Sequence, residues 1–553
     1  MRSRKFLLYL FVLTPFLILL SRAFVLQVIQ YKTHREYIDS LKVYVRRLEA
    51  PRGRILTRDG TILAWDEEVV TAKAVGAINT ELVEQVLGKE KMLQLIQGDE
   101  IIISETEAQR LEKSGLMISR KLLRRYSGLA SHVVGYVDQS RQGISGVEAM
   151  YNSYLKGVDG YELISIDIRG RILGRFVESP AIRGNDVVLT IDSKLQSYVE
   201  ELLARHGKPG AIIVQSVKTG EILAMASYPI FDPNVFAQGV SARQWAELVN
   251  DPSSPLLNRA IGGLYPPGSV IKPLYAIALL EEADFDIPSI NCLGYFEYVG
   301  TTGRVLGTYR DWYLEGHGET DLKKAIKVSC NVYFYNLALH LGIERMKQIA
   351  SFFRIDELTQ IDLPGERKGL FPDPTWKYER FKEPWYPGDT ILCGIGQSFI
   401  LVTPLEITSF YNAIANGGTC YQPRLLKSIL DFRGKKVYEP DVTVLYKVSM
   451  KKSTHEFLVS ALREVVQSAN GGTPRDEGTA YRAFRGLKMD VAAKTGTAET
   501  GKSGQLPHSW FAGFAPASNP EILVVVLLEN SGSGGEAAAP LARKVFEYWG
   551  GKR

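Results

Sequence analysis

The stretch YPPGSVIKP, residues 265–273, is the most informative segment of this sequence. Two prolines and a glycine in a row do not form helix interior, so they predict an extended or turning entry that ends at Ser269. Pro273 fits only in the first turn of the helix that follows, where amide hydrogens have no helical partner. We therefore predict a helix from Val270 to about Glu282, with Ser269 at its start.

Ser269 and Lys272 are three residues apart, which places them on one face of a helix. A serine hydroxyl is a poor nucleophile until a neighbouring base takes its proton, and a lysine amine one turn away can act as that base. The helix dipole adds about 0.3–1 kcal/mol of stabilisation to an alkoxide that develops at this end. An isolated S-x-x-K is usually only a serine and a lysine on a surface helix, so the prediction depends on further motifs.

Two such motifs follow in order along the chain. S-C-N at residues 329–331 lies between two helical patterns, and K-T-G at residues 494–496 lies in a strand of small residues, 491–498. Glycine inside a strand often marks the close approach of another backbone, and we predict that at Gly496 this backbone belongs to a bound peptide. Each motif alone is common, but the three in this order are rare by chance.

The ordered set of S-x-x-K, S-x-N and K-T-G resembles that of penicillin-binding proteins and serine β-lactamases. The segment PRGRILTRDGTILA at residues 51–64 and later segments, including DIRGR at 167–171, resemble the pedestal of class B penicillin-binding proteins. The resemblance covers about residues 50–549. It implies a peptidoglycan D,D-transpeptidase that cross-links stem peptides through an acyl-serine intermediate and is inhibited by β-lactams.

The resemblance also implies a role for each motif residue. Ser269 is the nucleophile, Lys272 its base, and Ser329 a proton relay to the leaving amine. The substrate-binding residues are those that hold the substrate backbone or its terminal carboxylate, or border the oxyanion hole: Asn331, Lys494, Thr495, Gly496 and Thr497. The backbone N–H groups of Ser269 and Thr497 form the oxyanion hole. No glutamate in the sequence is an evident alternative to Lys272 as base.

Two segments, YRDW at 309–312 and GHG at 316–318, resemble the elongation-type class B proteins (penicillin-binding protein 2). Asn331 departs from that pattern, because elongation-type members often carry Asp there. A septal or sporulation transpeptidase and a non-catalytic β-lactam-binding scaffold stay open, whereas secreted β-lactamases and carboxypeptidases are usually shorter and lack a pedestal. His317 is interpreted as structural or substrate-positioning, and residues 385–390 and 394–398 as the helical side of the cleft.

The N-terminus predicts a membrane anchor. Three basic residues precede an uncharged apolar run at 6–20, which is short of the ~20 residues that a spanning helix needs. Arg22 can snorkel while the helix continues, and the basic end is expected in the cytoplasm. This predicts a single-pass protein of the cytoplasmic membrane with its catalytic part outside the cytoplasm. Cleavage of a signal peptide near Ser21-Arg22-Ala23 is the alternative.

A chain of 553 residues predicts two or more domains. We place a cytoplasmic tail and anchor at 1–30, a pedestal at 31–185 and a transpeptidase domain at 186–553. The net charge of +5 is mild and does not indicate nucleic acid. The family implies a polytopic SEDS-family glycan polymerase as partner, contacted through the anchor and the pedestal.

Apolar strands at both ends of the transpeptidase region (211–214, 222–226, 488–498, 510–514 and 522–528) enclose a helix-rich middle, 240–470, and a helix closes the chain at 537–549. This pattern predicts an α/β fold with a mainly antiparallel sheet covered by helices. Four cysteines are too few for a disulfide framework. Cys330 is expected to be reduced and buried, while the disulfide status of Cys292, Cys393 and Cys420 stays open. No spacing resembles a zinc site, and no metal or cofactor is predicted.

Overall fold

The computed structural model describes residues 2–33, 35, 42–166, 172–282, 289–468 and 473–551. The chain divides into two compact units. The small unit comprises Met1–Arg52 and Lys156–Gly184, and the large unit comprises Gly53–Leu155 and Asn185–Arg553. The predicted boundaries at residues 30 and 185 separate functional domains and not compact units, and they stay a prediction.

The small unit begins with a helix, Arg2–Phe24, that continues as a π-helical turn, Val25–Ile29. Its apolar part, Leu10–Ile29, has 20 residues and a mean hydropathy of 2.0. Among the described residues it is the one helix long and apolar enough to cross a membrane. The helix therefore continues past Arg22, as predicted.

A three-stranded antiparallel sheet completes the small unit. Gly160–Ile166 is its central strand and pairs with Lys42–Leu48 on one side and Ile172–Ser179 on the other. The DIRGR motif at 167–171 and part of the pattern at 35–48 lie outside the described residues.

The large unit contains a seven-stranded sheet near its N-terminal end. Ile55–Leu56 pairs antiparallel with Ile62–Ala74 and parallel with Asp186–Leu189. The remaining strands are Glu100–Ile103, Leu116–Tyr126, Leu426–Leu430 and Lys436–Tyr438. The helices of this region are Thr80–Leu87, Lys89–Ile96, Glu105–Arg110, Ser131–Val134, Gly146–Met150 and Asn152–Leu155.

A five-stranded antiparallel sheet forms the core of the large unit. Its order is Ile222–Tyr228, Gly210–Ser216, Ile522–Leu528, His508–Ala515 and Ala492–Ala498. The central strand, Ile522–Leu528, is a continuous apolar run in which all seven residues are buried, as expected for a strand covered on both faces. The helices Ser193–His206, Pro404–Ala415 and Ala538–Gly551 pack against this sheet. The predicted α/β fold is confirmed.

Helices dominate the middle of the chain, as predicted. They are Asn234–Gln238, Ala242–Asn250, Arg259–Gly262, Lys272–Leu280, Leu322–Lys327, Asn331–Phe352, Pro374–Phe381, Pro387–Cys393, Lys452–Gln467 and Tyr481–Phe484. Three short strand pairs interrupt them and were not predicted: Ile290–Cys292 with Gly318–Thr320, Tyr295–Val299 with Val305–Arg310, and Thr419–Tyr421 with Val444–Lys447.

Candidate active site

Ser269 lies in a 3₁₀ turn, Gly268–Ile271, that leads into the α-helix Lys272–Leu280. We call these the nucleophile turn and the nucleophile helix. The predicted entry at Ser269 is confirmed, and Pro273 does lie in the first helical turn. The tighter winding puts residues three apart in an eclipsed position, so Ser269 and Lys272 face the same side.

Lys272 is fully buried and connects the nucleophile helix to the S-x-N motif. Its Nζ donates to the carbonyl oxygen of Ser329 at 2.8 Å, to Oδ1 of Asn331 at 2.8 Å and to Oγ of Ser329 at 3.4 Å. No hydrogen bond between Lys272 Nζ and Ser269 Oγ is present among these described residues. Burial lowers the pKa of Lys272 to about 8, although the negative charge of Asp311 opposes that shift.

The S-x-N turn, Ser329–Asn331, joins the helices Leu322–Lys327 and Asn331–Phe352 at the predicted junction. Ser329 has a φ of 58°, in the left-handed region that is costly for a residue with a side chain. Cys330, not Ser329, caps the second helix, because its Sγ accepts from the backbone N–H of Tyr333 at 3.5 Å. Oδ2 of Asp311 holds the same turn by accepting from the N–H groups of Asn331 at 2.7 Å and Val332 at 3.0 Å.

The K-T-G motif lies on Ala492–Ala498, the edge strand of the five-stranded sheet, which we call the K-T-G strand. Lys494 is fully buried, and its Nζ donates to the carbonyl oxygen of Thr495 at 3.0 Å. Burial, followed by the positive charge of Lys272, lowers the pKa of Lys494 well below its ordinary value. Thr495 shares a 2.6 Å hydroxyl hydrogen bond with Thr479, and Thr497 is exposed.

Gly496 allows the nucleophile turn to pack closely on the K-T-G strand. A Cβ at this position would lie 3.0 Å from the carbonyl oxygen of Pro267 and 3.1 Å from Cγ1 of Val270. The chain's own backbone therefore approaches Gly496 closely, and the approach of a bound peptide there stays a prediction. Gly268 completes the contact with a φ of 56° and a hypothetical Cβ only 2.8 Å from the carbonyl oxygen of Thr497.

A cleft of about 1340 Å³ brings three motifs together. The predicted site residues that line it are Ser269, Ser329, Asn331, Thr495 and Thr497. Lys272 and Lys494 are fully buried. Residues 395, 397 and 398 lie on the lining, as predicted for the helical side of the cleft, whereas none of residues 385–390 does. The lining also includes charged residues that the sequence did not indicate: Arg259, Arg310, Arg367, Arg482, Lys502, Glu477, Glu499, Glu529 and Glu536.

Comparison with known proteins agrees with this geometry. Residues 210–547 match the family model described as Penicillin binding protein transpeptidase domain. The chain belongs to the penicillin-binding protein transpeptidase family. Residues 99–189 match a second model, described as Penicillin-binding Protein dimerisation domain. The resemblance predicted from the motifs is confirmed.

Relatives of this penicillin-binding protein include Peptidoglycan D,D-transpeptidase MrdA of Acinetobacter baumannii, with 32% identity over 99% of this chain and 87% of the relative. The penicillin-binding protein PBP2 of Helicobacter pylori, solved in complex with MreC, has a TM-score of 0.74 and 29% identity over 92% of this chain and 99% of that chain. A chain from the structure "Structural coordination of polymerization and crosslinking by a peptidoglycan synthase complex" has a TM-score of 0.74 and 30% identity over 99% of this chain and 98% of that chain.

A second cluster in this penicillin-binding protein lies beside the S-x-N turn. It consists of four buried groups whose donor atoms all lie within 4.8 Å of one another: Cys292, Asp311, His317 and Cys330. Sγ of Cys330 is 3.3 Å from Oδ2 of Asp311, and Sγ of Cys292 is 3.7 Å from Nδ1 of His317. Nε2 of His317 is buried and has no hydrogen-bond partner among the described residues.

These four side chains fit a zinc ion. Zinc in proteins is usually held tetrahedrally by thiolate, imidazole and carboxylate ligands, which are the groups present here. A hydrogen bond from Cys330 is the main cause that lowers the pKa of Cys292 to about 5, which favours the thiolate, the form that binds metals. Bound zinc would hold the S-x-N turn through Cys330 and Asp311.

This cluster was not predicted from the sequence. Its ligands come from four separate segments, which the unpredicted strand pairs bring together: Cys292 ends one strand, Asp311 follows another, and His317 precedes a third. His317 is fully buried, and its two predicted roles, structural or substrate-positioning, both stay predictions. All four cysteines are free and buried, which confirms the expectation for Cys330.

Proposed function

We propose that this protein is a serine-type peptidoglycan D,D-transpeptidase in which Ser269 is the acylated residue. The observation that carries the proposal is the shared cleft, which Ser269, the S-x-N turn and the K-T-G strand all line. Behind it, Lys272 contacts both oxygens of Ser329 and the amide of Asn331. A nucleophile, a base and a relay group within one site form the arrangement that acyl transfer requires.

In the proposed acylation, Ser269 Oγ attacks the carbonyl carbon between two D-alanines of a stem peptide. Lys272 in its neutral form takes the serine proton, which its lowered pKa favours. The C–N bond then breaks, and the hydroxyl of Ser329 gives a proton to the leaving amine and regains one from Lys272. The product is an acyl-serine and free D-alanine.

In the second step, the amine of a neighbouring stem peptide attacks the acyl-serine carbonyl. The amine proton passes to Lys272 and then to Ser269 Oγ as the acyl–oxygen bond breaks, so the enzyme returns to its starting state. A β-lactam enters through the first step only, and its acyl-serine persists.

The N–H groups of Ser269 and Thr497 would hold the oxyanion that forms in both steps. Each such donor contributes about 3 kcal/mol to stabilisation of the transition state. The close packing at Gly268 and Gly496 supports this role, because it brings the nucleophile turn directly against the K-T-G strand.

The K-T-G strand and Asn331 would bind the substrate. Thr495 and Lys494 would hold the terminal carboxylate, with the hydroxyl of Thr495 at the cleft and Lys494 supplying positive charge from behind. The pKa of Lys494 is depressed by burial, so arrival of an anionic carboxylate would favour its ammonium form. Asn331 would hydrogen-bond the peptide backbone through its amide N–H₂, because Oδ1 already accepts from Lys272.

The test is covalent labelling of the full chain in detergent micelles with a fluorescent penicillin, followed by intact-mass measurement and peptide mapping. We expect one stable adduct, on Ser269, and none in Ser269→Ala. Ser533→Ala is the matched control, since Ser533 also lines the cleft, and it should label normally. An adduct on another serine would refute the assignment, and rapid release of penicilloate would indicate a β-lactamase.

The setting of the enzyme is a further part of the proposal. We place the anchor at residues 1–30, the pedestal at 31–185 and the transpeptidase domain at 186–553, with the catalytic part outside the cytoplasmic membrane. A SEDS-family glycan polymerase would be the membrane partner, and elongation the process served. Support comes from the apolar helix Leu10–Ile29 and from relatives named MrdA and a peptidoglycan synthase complex. Depletion in the native cell should give round cells; filaments would indicate a septal role instead.

A further inference from the structure

Glu529 forms a contact that the proposed mechanism does not use. It follows the central strand Ile522–Leu528 directly and lines the cleft. Its Oε1 accepts two hydrogen bonds, from the hydroxyl of Tyr265 at 2.7 Å and from Nε of Arg259 at 2.7 Å. Hydrogen bonds to a charged group are stronger than neutral ones. A single carboxylate oxygen thus joins the end of the central strand to two other segments.

Arg259 gives this carboxylate a fixed partner. Its side chain is 3% exposed. Its other two nitrogens donate to the carbonyl oxygens of Ser254 at 3.1 Å and Ser253 at 2.6 Å. Each of the three guanidinium nitrogens therefore donates a hydrogen bond, and the buried guanidinium cannot turn away without losing these partners.

Tyr265 is the first residue of the segment that ends at Ser269. Its backbone exchanges two 2.9 Å hydrogen bonds with Val402. One residue later, the carbonyl oxygen of Pro266 accepts from Nε1 of Trp510 at 3.0 Å. Burial, with the nearby Glu529 carboxylate, raises the pKa of the Tyr265 hydroxyl, which stays protonated and able to donate.

Only three residues separate Tyr265 from Ser269, and two of them are prolines with a fixed φ. A displacement of Tyr265 is therefore passed along a stiff segment to the serine. The Tyr265 hydroxyl fixes the start of that segment, while the glycine contacts at 268 and 496 fix its end. A misplacement of about 1 Å in a reacting group can reduce a rate about 100-fold.

We propose that Glu529 is a positioning residue: together with Arg259 it holds Tyr265 and so sets the position of Ser269 Oγ relative to the K-T-G strand. This inference rests on the proposed function, because it concerns the geometry of the acylation step. It predicts that the Tyr265 hydroxyl contributes to the rate of acylation and little to penicillin binding or to stability.

The test compares two Tyr→Phe variants of the full chain. Tyr265→Phe removes the hydroxyl and keeps the ring. Tyr151→Phe is the matched control, because the Tyr151 hydroxyl also donates to a carboxylate, that of Asp362, at 2.6 Å. The two tyrosines are similarly buried, 6% and 8% exposed, and Tyr151 does not line the cleft. Stopped-flow labelling separates the acylation rate constant from the dissociation constant for non-covalent binding, and thermal unfolding reports stability.

We expect Tyr265→Phe to lower the acylation rate constant about 10- to 100-fold while the dissociation constant changes less than about threefold. Tyr151→Phe should acylate normally, although both variants lose the same kind of hydrogen bond. Glu529→Gln, which keeps an acceptor oxygen, should retain more activity than Glu529→Ala, a rescue that a purely structural role does not require.

Normal acylation in Tyr265→Phe would overturn the inference, as would an equal loss in Tyr151→Phe or a loss matched by unfolding. These outcomes leave the proposed function intact, because the wild-type chain would still form its Ser269 adduct. Absence of an adduct in the wild-type chain would refute both.

Discussion

Two turns meet at the cleft, and they are held in different ways. The shape of the nucleophile turn comes mainly from its own backbone: prolines restrict its entry, and Gly268 has a φ that other residues avoid. The S-x-N turn is held mainly by side chains: Oδ2 of Asp311 accepts from the N–H groups of Asn331 and Val332, and Cys330 within the turn caps the helix that follows. The shape of the first turn follows from local sequence, although Glu529 and Arg259 hold its entry, whereas the second turn depends on the fold around it.

The variant expected to lose the most activity changes the backbone of the nucleophile turn. Gly268→Ala should lower the acylation rate about 100-fold, because its Cβ would meet the carbonyl oxygen of Thr497 and displace Ser269. Gly207→Ala is the matched control, since Gly207 has a φ of 75° but open space around its Cβ position. Both variants should lose about 1–2 kcal/mol of unfolding free energy from the left-handed backbone, and Gly268→Ala should lose more because its Cβ also meets the carbonyl oxygen of Thr497. Stopped-flow penicillin acylation and thermal melts measure the two effects.

If Gly268→Ala acylates as fast as Gly207→Ala, the packing of the nucleophile turn on the K-T-G strand does not position Ser269.

An intermediate effect is expected on the side-chain-held turn. The chain should purify with about one zinc ion, because four ligands of suitable chemistry surround one position. Cys292→Ser should lose the metal and acylate about tenfold more slowly, since the ligand cluster supports the S-x-N turn. Cys420→Ser, a change at another free buried cysteine, should keep both. Elemental mass spectrometry gives the zinc content, and penicillin labelling gives the rate.

Equal zinc content in the two cysteine variants, or a wild-type chain without metal, would contradict this prediction. The S-x-N turn would then rest on Asp311 and the Cys330 cap alone.

The smallest effect concerns Lys272, which links both turns. Its pKa is lowered to about 8 by burial, and only the neutral amine can take the serine proton. Acylation should therefore rise about fivefold from pH 7 to pH 8 and level off about twofold higher, above pH 9. The sign follows from the base: protonation below the pKa removes the reactive form. A rate that falls as pH rises would mean that the ammonium form acts, and a pH–rate profile of penicillin labelling decides between the two.

The difference between the turns also explains what the sequence predicted. Pro266, Pro267, Gly268 and Pro273 each restrict backbone angles by themselves, so the entry to the helix and the position of Ser269 followed from local rules. The five-stranded sheet was similarly evident, because its strands are apolar runs bounded by turns.

The cluster beside the S-x-N turn did not follow from such rules. Its ligands meet only after two short strand pairs have formed, and strands of three to six residues with exposed faces carry little periodic signal. The contact of Gly496 with the backbone at Pro267 was not predicted, for the same reason. Glycine in a strand indicates that a backbone comes close, but only the tertiary fold shows that the backbone at Pro267 is one such neighbour.

The tight packing at Gly268 and Gly496 limits the substitutions by which the protein could become resistant to inhibitors. A larger side chain that crowds an inhibitor and spares the substrate is one route to resistance. That route is narrow here, because an added Cβ would lie 2.8 Å from the carbonyl oxygen of Thr497 at Gly268 and 3.0 Å from that of Pro267 at Gly496. An inhibitor that contacts the nucleophile turn and the K-T-G strand where they pack together would bind at positions that tolerate few substitutions.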